Sequence, residues 1–281
     1  MINMANCSTC PSKGSCGKDE SSCGIVNNPH NHIKKVVAVM SGKGGVGKSS
    51  MTVLMAKAYA SMGFTVGIMD ADITGPSIPR LMALENEKAF GNAEQEILPV
   101  IDKDGIKTMS INYLIDSEDT PVIWRGPIVG NAVKQFWTDV VWGELDVLFI
   151  DMPPGTGDVA LTIMQSLPVN GVIMVSTPQP MVSMIVTKAI KMLKQMDIPV
   201  LGVIENMAYI NCPDCGKKIN IYSENDTEKF IADNDIELLG ELPMVPAISN
   251  IRLDEELSAD DQKLIQDLIM PIVTKLVHHL N

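Results

Sequence analysis

Short apolar runs rich in β-branched residues alternate with longer amphipathic stretches from residue 34 to the end of the chain. The apolar runs predict buried strands at Val36–Met40, Thr65–Met69, Val147–Ile150, Val172–Val175 and Val200–Ile204. The longer stretches predict helices at Lys48–Met62, Met181–Met196 and Ser258–Leu280. In the last helix, Ser258 and Asp261 resemble a capping box and Pro271 predicts a kink. The alternation is typical of an α/β fold with a doubly wound, mostly parallel sheet.

The first 33 residues have a different pattern, with almost no apolar side chains to form a core. They contain four cysteines: Cys7, Cys10, Cys16 and Cys23. A segment this polar cannot fold alone without a ligand. We therefore predict a cysteine-rich segment over residues 1–33, either metal-binding or flexible, and one α/β domain over residues 34–281.

Composition and charge narrow the range of functions. The chain has 281 residues, of which 46% are hydrophobic, enough for a full core. It lacks a signal-peptide pattern and an apolar run of about 18 residues, so we expect a cytoplasmic protein without a membrane partner. The formal net charge of −12 argues against a nucleic-acid partner, because such binding depends on Lys and Arg contacts to phosphate. In a reducing cytosol, six cysteines indicate metal or redox chemistry more often than disulfides.

A glycine-rich motif directly follows the first predicted strand. Gly42-Lys43-Gly44-Gly45-Val46-Gly47-Lys48-Ser49 satisfies the pattern GxxxxGK[ST] between a strand and a helix. Backbone N–H groups and the start of the helix would face the phosphates, Lys48 would neutralise the β- and γ-oxygens, and Ser49 would offer its hydroxyl to Mg²⁺. This motif, with Ser50 after it, predicts an ATP site. Lys43 has no role in an ordinary phosphate loop, and a plain exposed lysine is the alternative.

Two further strands end in acidic residues. Thr65–Met69 leads into Asp70-Ala71-Asp72, and Val147–Ile150 leads into Asp151. An aspartate at the end of an apolar strand is the usual Mg²⁺-side carboxylate of such enzymes, so we predict that Asp151 and Ser49 hold Mg²⁺. Asp72 is the candidate for positioning the attacking water, and a structural turn is the alternative for each acid.

The sequence Cys212-Pro213-Asp214-Cys215 supplies two thiolates at a spacing common in metal sites. Iron–sulfur clusters and structural zinc both need four ligands, and a two-fold axis that joins two copies would provide them. Zinc and free core thiols remain alternatives. The four amino-terminal cysteines could hold a second cluster, a zinc ion or nothing. The linker from Cys23 to Lys34 could span about 35 Å when extended, enough to pass a cluster to Cys212.

Taken together, the motifs resemble the Mrp/ApbC family of iron–sulfur carrier ATPases over residues 34–280. They are Ser41–Ser49, Asp70–Ser77, Trp124–Pro127, Asp151–Asp158, Glu205–Met207 and the CPDC sequence. The resemblance implies the fold of the MinD, ParA and nitrogenase iron proteins and a homodimer. It implies that Lys43 acts on the partner's nucleotide, that Asp72 activates water and that Asn206 recognises adenine. It also implies a [4Fe–4S] cluster held by Cys212 and Cys215 between two subunits.

We therefore expect an ATP-hydrolysing carrier that passes a [4Fe–4S] cluster to apo-proteins. A positioning switch like MinD or ParA is one alternative, although the acidic charge and the CPDC sequence count against it. A zinc-bridged dimeric ATPase is another. An electron-transferring reductase like the nitrogenase iron protein is less favoured, because that protein's cluster ligands are widely separated single cysteines.

Overall fold

The computed structural model describes residues 27–94, 96–115, 126–221, 231, 234–245, 248 and 258–280. The helices within these ranges are α1 Lys48–Ser61, α2 Ile78–Leu81, α3 Gly126–Thr138, α4 Asp158–Ser166, α5 Pro180–Gln195 and α6 Ala259–Leu280, with a 3₁₀ turn at Ile111–Tyr113. The strands are β1 His32–Ser41, β2 Val66–Asp70, β3 Phe90–Gly91, β4 Ile97–Leu98, β5 Val100–Ile101, β6 Lys107–Met109, β7 Glu144–Asp151, β8 Gly171–Ser176, β9 Val200–Asn211, β10 Lys218–Asn220 and β11 Leu238–Pro243.

The main sheet has nine strands, and eight of them follow the order β10-β9-β8-β1-β7-β2-β6-β5, with β11 paired to β9. Strand β1 is central and pairs in parallel with β7 and β8. Antiparallel pairs occur at the two ends of this order, where β5 pairs with β6 and β10 pairs with β9. The remaining strands, β3 and β4, form a separate two-stranded ribbon. This arrangement confirms the predicted doubly wound, mostly parallel α/β fold.

Both faces of the sheet are covered by helices, which explains why its strands are continuous apolar runs. On β1, Val36, Ala38 and Met40 belong to a cluster that includes apolar side chains of α3, α4 and α5. Val37 and Val39 point to the other face and pack with α1 and α6. The sheet therefore lies in the middle of three layers, with its strand ends free to carry polar groups.

The predicted helices are present, with small differences at their ends. Helix α6 begins one residue after Ser258, whose Oγ accepts a hydrogen bond from the Asp261 N–H at 3.1 Å, and it continues through Pro271. Sequence reasoning did not predict α3 or α4. Among the described residues, no helix has both the length and the apolar character needed to cross a bilayer.

Candidate nucleotide and metal sites

The phosphate loop, residues 42–49, connects β1 to α1 at the carboxyl edge of the sheet. Helix α1 begins at Lys48, directly after Gly47 with φ of 84°. A Cβ on Gly47 would lie only 2.4 Å from Asn206 Nδ2, so both the backbone angle and the space require glycine there. Ser50 lies half-buried in the first turn of α1. The loop therefore has the shape expected of a phosphate cradle, with a helix amino terminus beneath it.

Asp151, at the end of β7, is fully buried and contacts polar side chains of α1. Its Oδ1 forms an ion pair with Lys48 Nζ at 2.7 Å, and its Oδ2 accepts a hydrogen bond from Ser49 Oγ at 2.5 Å. The structure thus brings the predicted magnesium-side residues into direct contact, and their oxygens suit Mg²⁺. Thr52 Oγ1 lies 3.0 Å from Asp151 Oδ1 and was not predicted. Its position four residues after Lys48, on the same helix face, was the available signal.

Asp70 is a second buried acid that sequence reasoning did not select. It ends β2, and the parallel pairing of β2 with β7 places it beside Asp151. Burial, reinforced by the Asp151 carboxylate, raises the pKa of Asp70 to about 8. Its Oδ2 accepts a hydrogen bond from Ser110 Oγ at 3.1 Å. The raised pKa favours the protonated form of Asp70 while no cation is bound.

Asp72 lies two residues beyond the end of β2 and is half-buried. Burial raises its pKa, while the nearby Lys48 ammonium opposes this shift. Its Oδ1 accepts a hydrogen bond from Thr74 Oγ1 at 3.3 Å. A carboxylate with a raised pKa at this edge is suited to orienting a water molecule.

Lys43 donates a hydrogen bond from its Nζ to Oε1 of Gln179, the residue that precedes α5 in the same chain. The loop that follows β7 also contacts this part of the phosphate loop, because the Gly155 N–H donates to the Ser41 carbonyl at 2.8 Å. The structure contains a single chain, so the action of Lys43 on a partner's nucleotide stays a prediction.

Asn206 connects β9 to the phosphate loop. Its Nδ2 donates to the Val46 carbonyl at 2.9 Å, and the residue is only 1% exposed. Its Oδ1 is buried without a hydrogen-bond partner among the described residues. A buried acceptor of this kind is costly unless a donor reaches it. The exocyclic amine of adenine is such a donor, so the residues present fit an adenine nucleotide.

Cys212 and Cys215 lie in the cysteine turn, residues 212–217, which connects β9 to β10. The Cys212 N–H donates to the Lys217 carbonyl at 2.9 Å, and the Gly216 N–H donates to the Cys212 carbonyl at 2.8 Å. The backbone N–H groups of Cys215 and Asp214 donate to the Cys212 sulfur and lower the pKa of that thiol. The turn therefore stabilises a thiolate, the form that binds metal.

The cysteine turn offers two cysteine sulfurs as ligands. Among the residues described, no cluster of three or more His, Cys, Asp or Glu side chains could hold a metal ion. Cys212 is half-buried and Cys215 is exposed. Next to them, the cross-strand neighbours Ile210 and Ile219 are 41% and 50% exposed. The turn is thus accessible and bordered by apolar side chains.

The possible second site, Cys7, Cys10, Cys16 and Cys23, lies outside the described residues, as do Trp124 and Arg125. The structure does correct the reach of that segment. Asn27 Oδ1 accepts a hydrogen bond from Trp137 Nε1 at 2.8 Å, and Asn31 is held between the Val140 carbonyl and the Gly143 N–H.

Only residues 24–26 therefore separate Cys23 from the folded domain, and Cys23 can lie at most about 14 Å from Asn27. This connection ends at the amino-terminal end of β1, a ten-residue strand about 33 Å long. The cysteine turn lies beyond the opposite edge, after β9. Because residues 27–33 belong to the folded domain and cannot serve as a linker, this arrangement argues against direct transfer from a site that includes Cys23 to Cys212 of the same chain, and that transfer stays a prediction.

Comparison with known proteins gives a consistent family assignment. Residues 32–277 match the ParA family profile described as NUBPL iron-transfer P-loop NTPase. A relative from Methanocaldococcus jannaschii named iron-sulfur cluster carrier protein is 42% identical, over 96% of this chain and 97% of its own.

Solved structures agree with this result. A nucleotide-binding protein of Archaeoglobus fulgidus, in complex with ADP and with cobalt found in it, is 40% identical, with a TM-score of 0.67 over 85% of this chain and 88% of that one. MinD in a MinC:MinD complex from Aquifex aeolicus matches with a TM-score of 0.62 at 19% identity, over 87% of this chain and 96% of that one. The latter likeness shows the fold alone.

Proposed function

The chain belongs to the ParA family, in its group of NUBPL-type iron-transfer P-loop NTPases, and from this premise we propose that it is an ATP-hydrolysing carrier of a [4Fe–4S] cluster. In this proposal Cys212 and Cys215 hold the cluster, and apo-proteins receive it. The carrier acts in the cytosol, where a reducing environment keeps both thiols available. The name iron-sulfur cluster carrier protein on a relative that is 42% identical over nearly the whole length supports this function.

One structural observation carries the proposal. A single strand, β9, supplies Asn206 to the phosphate loop and, six residues later, Cys212 to a turn that stabilises a thiolate. The nucleotide site and the thiolate pair are thus joined by one short piece of backbone. A zinc-binding turn that served only stability would not need to lie on the strand that contacts the nucleotide site.

The residues of the phosphate loop bind and orient the nucleotide. Lys48 exchanges its contact with Asp151 for the β- and γ-phosphate oxygens, while the backbone N–H groups of residues 44–48 face the same phosphates. Ser49 and Asp151 would hold Mg²⁺, which neutralises charge on the phosphates when bound. Asn206 accepts a hydrogen bond from the base through Oδ1, and Asp72 orients the water that attacks the γ-phosphate.

A homodimer completes both sites in this proposal. Lys43 leaves Gln179 and reaches the nucleotide of the partner, so hydrolysis depends on dimer formation and is slow in a dilute monomer. Two copies of the cysteine turn meet at a two-fold axis and supply four thiolates. The exposed pair Ile210 and Ile219 supports an apolar contact beside that axis. Because the turn lies at the surface, an apo-protein with free thiolates can approach the cluster and exchange ligands with it.

The proposal is tested by anaerobic reconstitution of the full chain with iron and sulfide, followed by transfer. The expected result is a brown protein whose cluster activates the apo-form of a [4Fe–4S] enzyme, at a rate that responds to MgATP. A protein that binds one colourless divalent ion per dimer and transfers no iron would instead be a zinc-bridged ATPase.

A further inference from the structure

Residues 206–208 form an interruption in β9, named here the β9 bulge. Between the register pairs Glu241–Glu205 and Pro243–Tyr209, β9 advances four residues while β11 advances two. Pairing with β8 ends at Glu205, and pairing with β10 begins at Tyr209. The bulge therefore falls between the paired stretches on both sides, although the strand is continuous from the sheet to the cysteine turn.

The backbone of the bulge is held in an unfavourable conformation. Met207 has φ of 53°, in the left-handed region that residues with a Cβ avoid. Bulges of this kind occur next to functional sites, where they redirect a side chain. Here the bulge turns Asn206 onto the phosphate loop. Non-glycine residues held in this region mark positions where the surrounding structure imposes the geometry.

Two side chains of the bulge, those of Asn206 and Met207, lie over the same point of the phosphate loop. A Cβ placed on Gly47 would lie 2.4 Å from Asn206 Nδ2 and 3.8 Å from Met207 Cε. On the far side of the bulge, Tyr209 is paired with β11 and β10, and Cys212 follows three residues later. A displacement at Asn206 must therefore either be absorbed at Met207 or be passed to the cysteine turn.

We propose that the β9 bulge, with Met207 as its positioning residue, couples nucleotide occupancy to the accessibility of Cys212 and Cys215. The inference rests on the proposed nucleotide and cluster sites. A nucleotide base that donates to Asn206 Oδ1 fixes a side chain already held at Nδ2 by Val46. Fixing both ends of that amide restrains the unpaired bulge. The restraint reaches the cysteine turn through the paired segment 209–211, because the surrounding structure holds Met207 in its imposed geometry and leaves it little freedom to absorb the displacement.

Thiol reactivity tests this coupling without any cluster. The full-length apo-protein, dilute and anaerobic, is treated with iodoacetamide with and without saturating MgADP, and alkylation of Cys212 and Cys215 is followed by peptide mass spectrometry. We expect MgADP to slow alkylation of these two cysteines by about fivefold or more, the lower end of ordinary coupling between sites. In Met207→Gly, the ratio of the alkylation rate without MgADP to the rate with MgADP should fall to about one. Glycine moves freely between left-handed and extended backbone, so it would absorb the displacement.

Matched variants separate coupling from general loosening of the structure. Met207→Leu keeps the Cβ and the bulk, so it should keep the ratio. Asp197→Gly removes a similar left-handed residue, φ 55°, just before the other end of the same strand, and should also keep it. The inference would be overturned if MgADP slowed alkylation in Met207→Gly as much as in the wild type, or if the wild-type thiols reacted at the same rate with and without bound MgADP. Neither result would contradict the carrier function. Failure of MgADP to bind the wild type would instead overturn the nucleotide site on which it rests.

Discussion

Lys48 Nζ and Asp151 Oδ1 form a 2.7 Å ion pair in which the lysine side chain is 7% exposed and the aspartate is fully buried. The lysine that should bind phosphate is thus already paired before a nucleotide arrives. In the proposed function, nucleotide binding replaces this contact, and the Asp151 carboxylate that it frees serves the site proposed for Mg²⁺. Charge neutralisation is therefore maintained in both states, which a buried carboxylate requires.

Replacement of Lys48 tests this exchange. We expect Lys48→Ala to weaken MgATP binding by about 10- to 100-fold, since a hydrogen bond to a charged group is worth about 1.5–3 kcal/mol. Lys57→Ala is the matched control, because Lys57 lies on the same helix but pairs with Asp102 and Asp104. Calorimetric titration measures both. Equal affinity in Lys48→Ala and wild type would contradict the proposed role.

Lys43 is expected to act in ATP hydrolysis rather than in ATP binding. Lys43→Ala should retain MgATP and lose hydrolysis by about 10³–10⁵, the range for a cationic group supplied by a partner. Mixing Lys43→Ala chains with Asp72→Ala chains should restore part of the rate, because one of the two sites in a mixed dimer has both groups intact. Each variant alone is the control. If the mixture stays as inactive as its components, action across the dimer is wrong.

Asp70 predicts a pH dependence of stability. Its pKa is about 8 in the fold against 3.8 as an ordinary aspartate, so the folded state binds more protons than the unfolded state between these values. The free energy of unfolding should therefore fall as the pH rises through this window. Asp70→Asn removes that loss, and each 1 kcal/mol that it recovers raises Tm by about 2–4 °C.

The measurement is thermal unfolding at pH 6 and pH 8 with EDTA and without nucleotide. Asp70→Asn should gain stability over wild type at pH 8 and much less at pH 6. The exposed Asp197→Asn should follow the wild type at both. A parallel pH slope in Asp70→Asn and wild type would show that Asp70 is already ionised at pH 6.

Local signals predicted much of this site from the sequence. The phosphate loop follows from glycines between a strand and a helix, and Asp151 follows from an acid at a strand end. The role of Asp70 could not be predicted from such local signals, because only the pairing of β2 with β7 shows that it lies against Asp151. The contact of Lys43 with Gln179 joins residues 136 positions apart. No residue type marks the left-handed backbone of Met207, which packing imposes.

The amino-terminal cysteines are expected to act apart from the turn in their own chain. Cys23 is four residues from Asn27, which is fixed at the opposite edge of the sheet. Replacing Cys7, Cys10, Cys16 and Cys23 by Ser should therefore keep ATP hydrolysis and the iron bound at Cys212 and Cys215. Iron and sulfide counts after anaerobic reconstitution check this. Loss of the Cys212 site in that variant would mean that loading requires the segment.

The central claim is that Cys212 and Cys215 hold the cluster between two subunits. The decisive measurement is the iron content and electron paramagnetic resonance spectrum of the full chain that lacks the four amino-terminal cysteines, with and without the further change Cys212→Ala/Cys215→Ala. The account predicts about four irons per dimer in the parent, since a [4Fe–4S] cluster takes four thiolates. It predicts no bound iron in the double variant, which should still bind MgATP. Full iron content with an unchanged spectrum in that variant would contradict it.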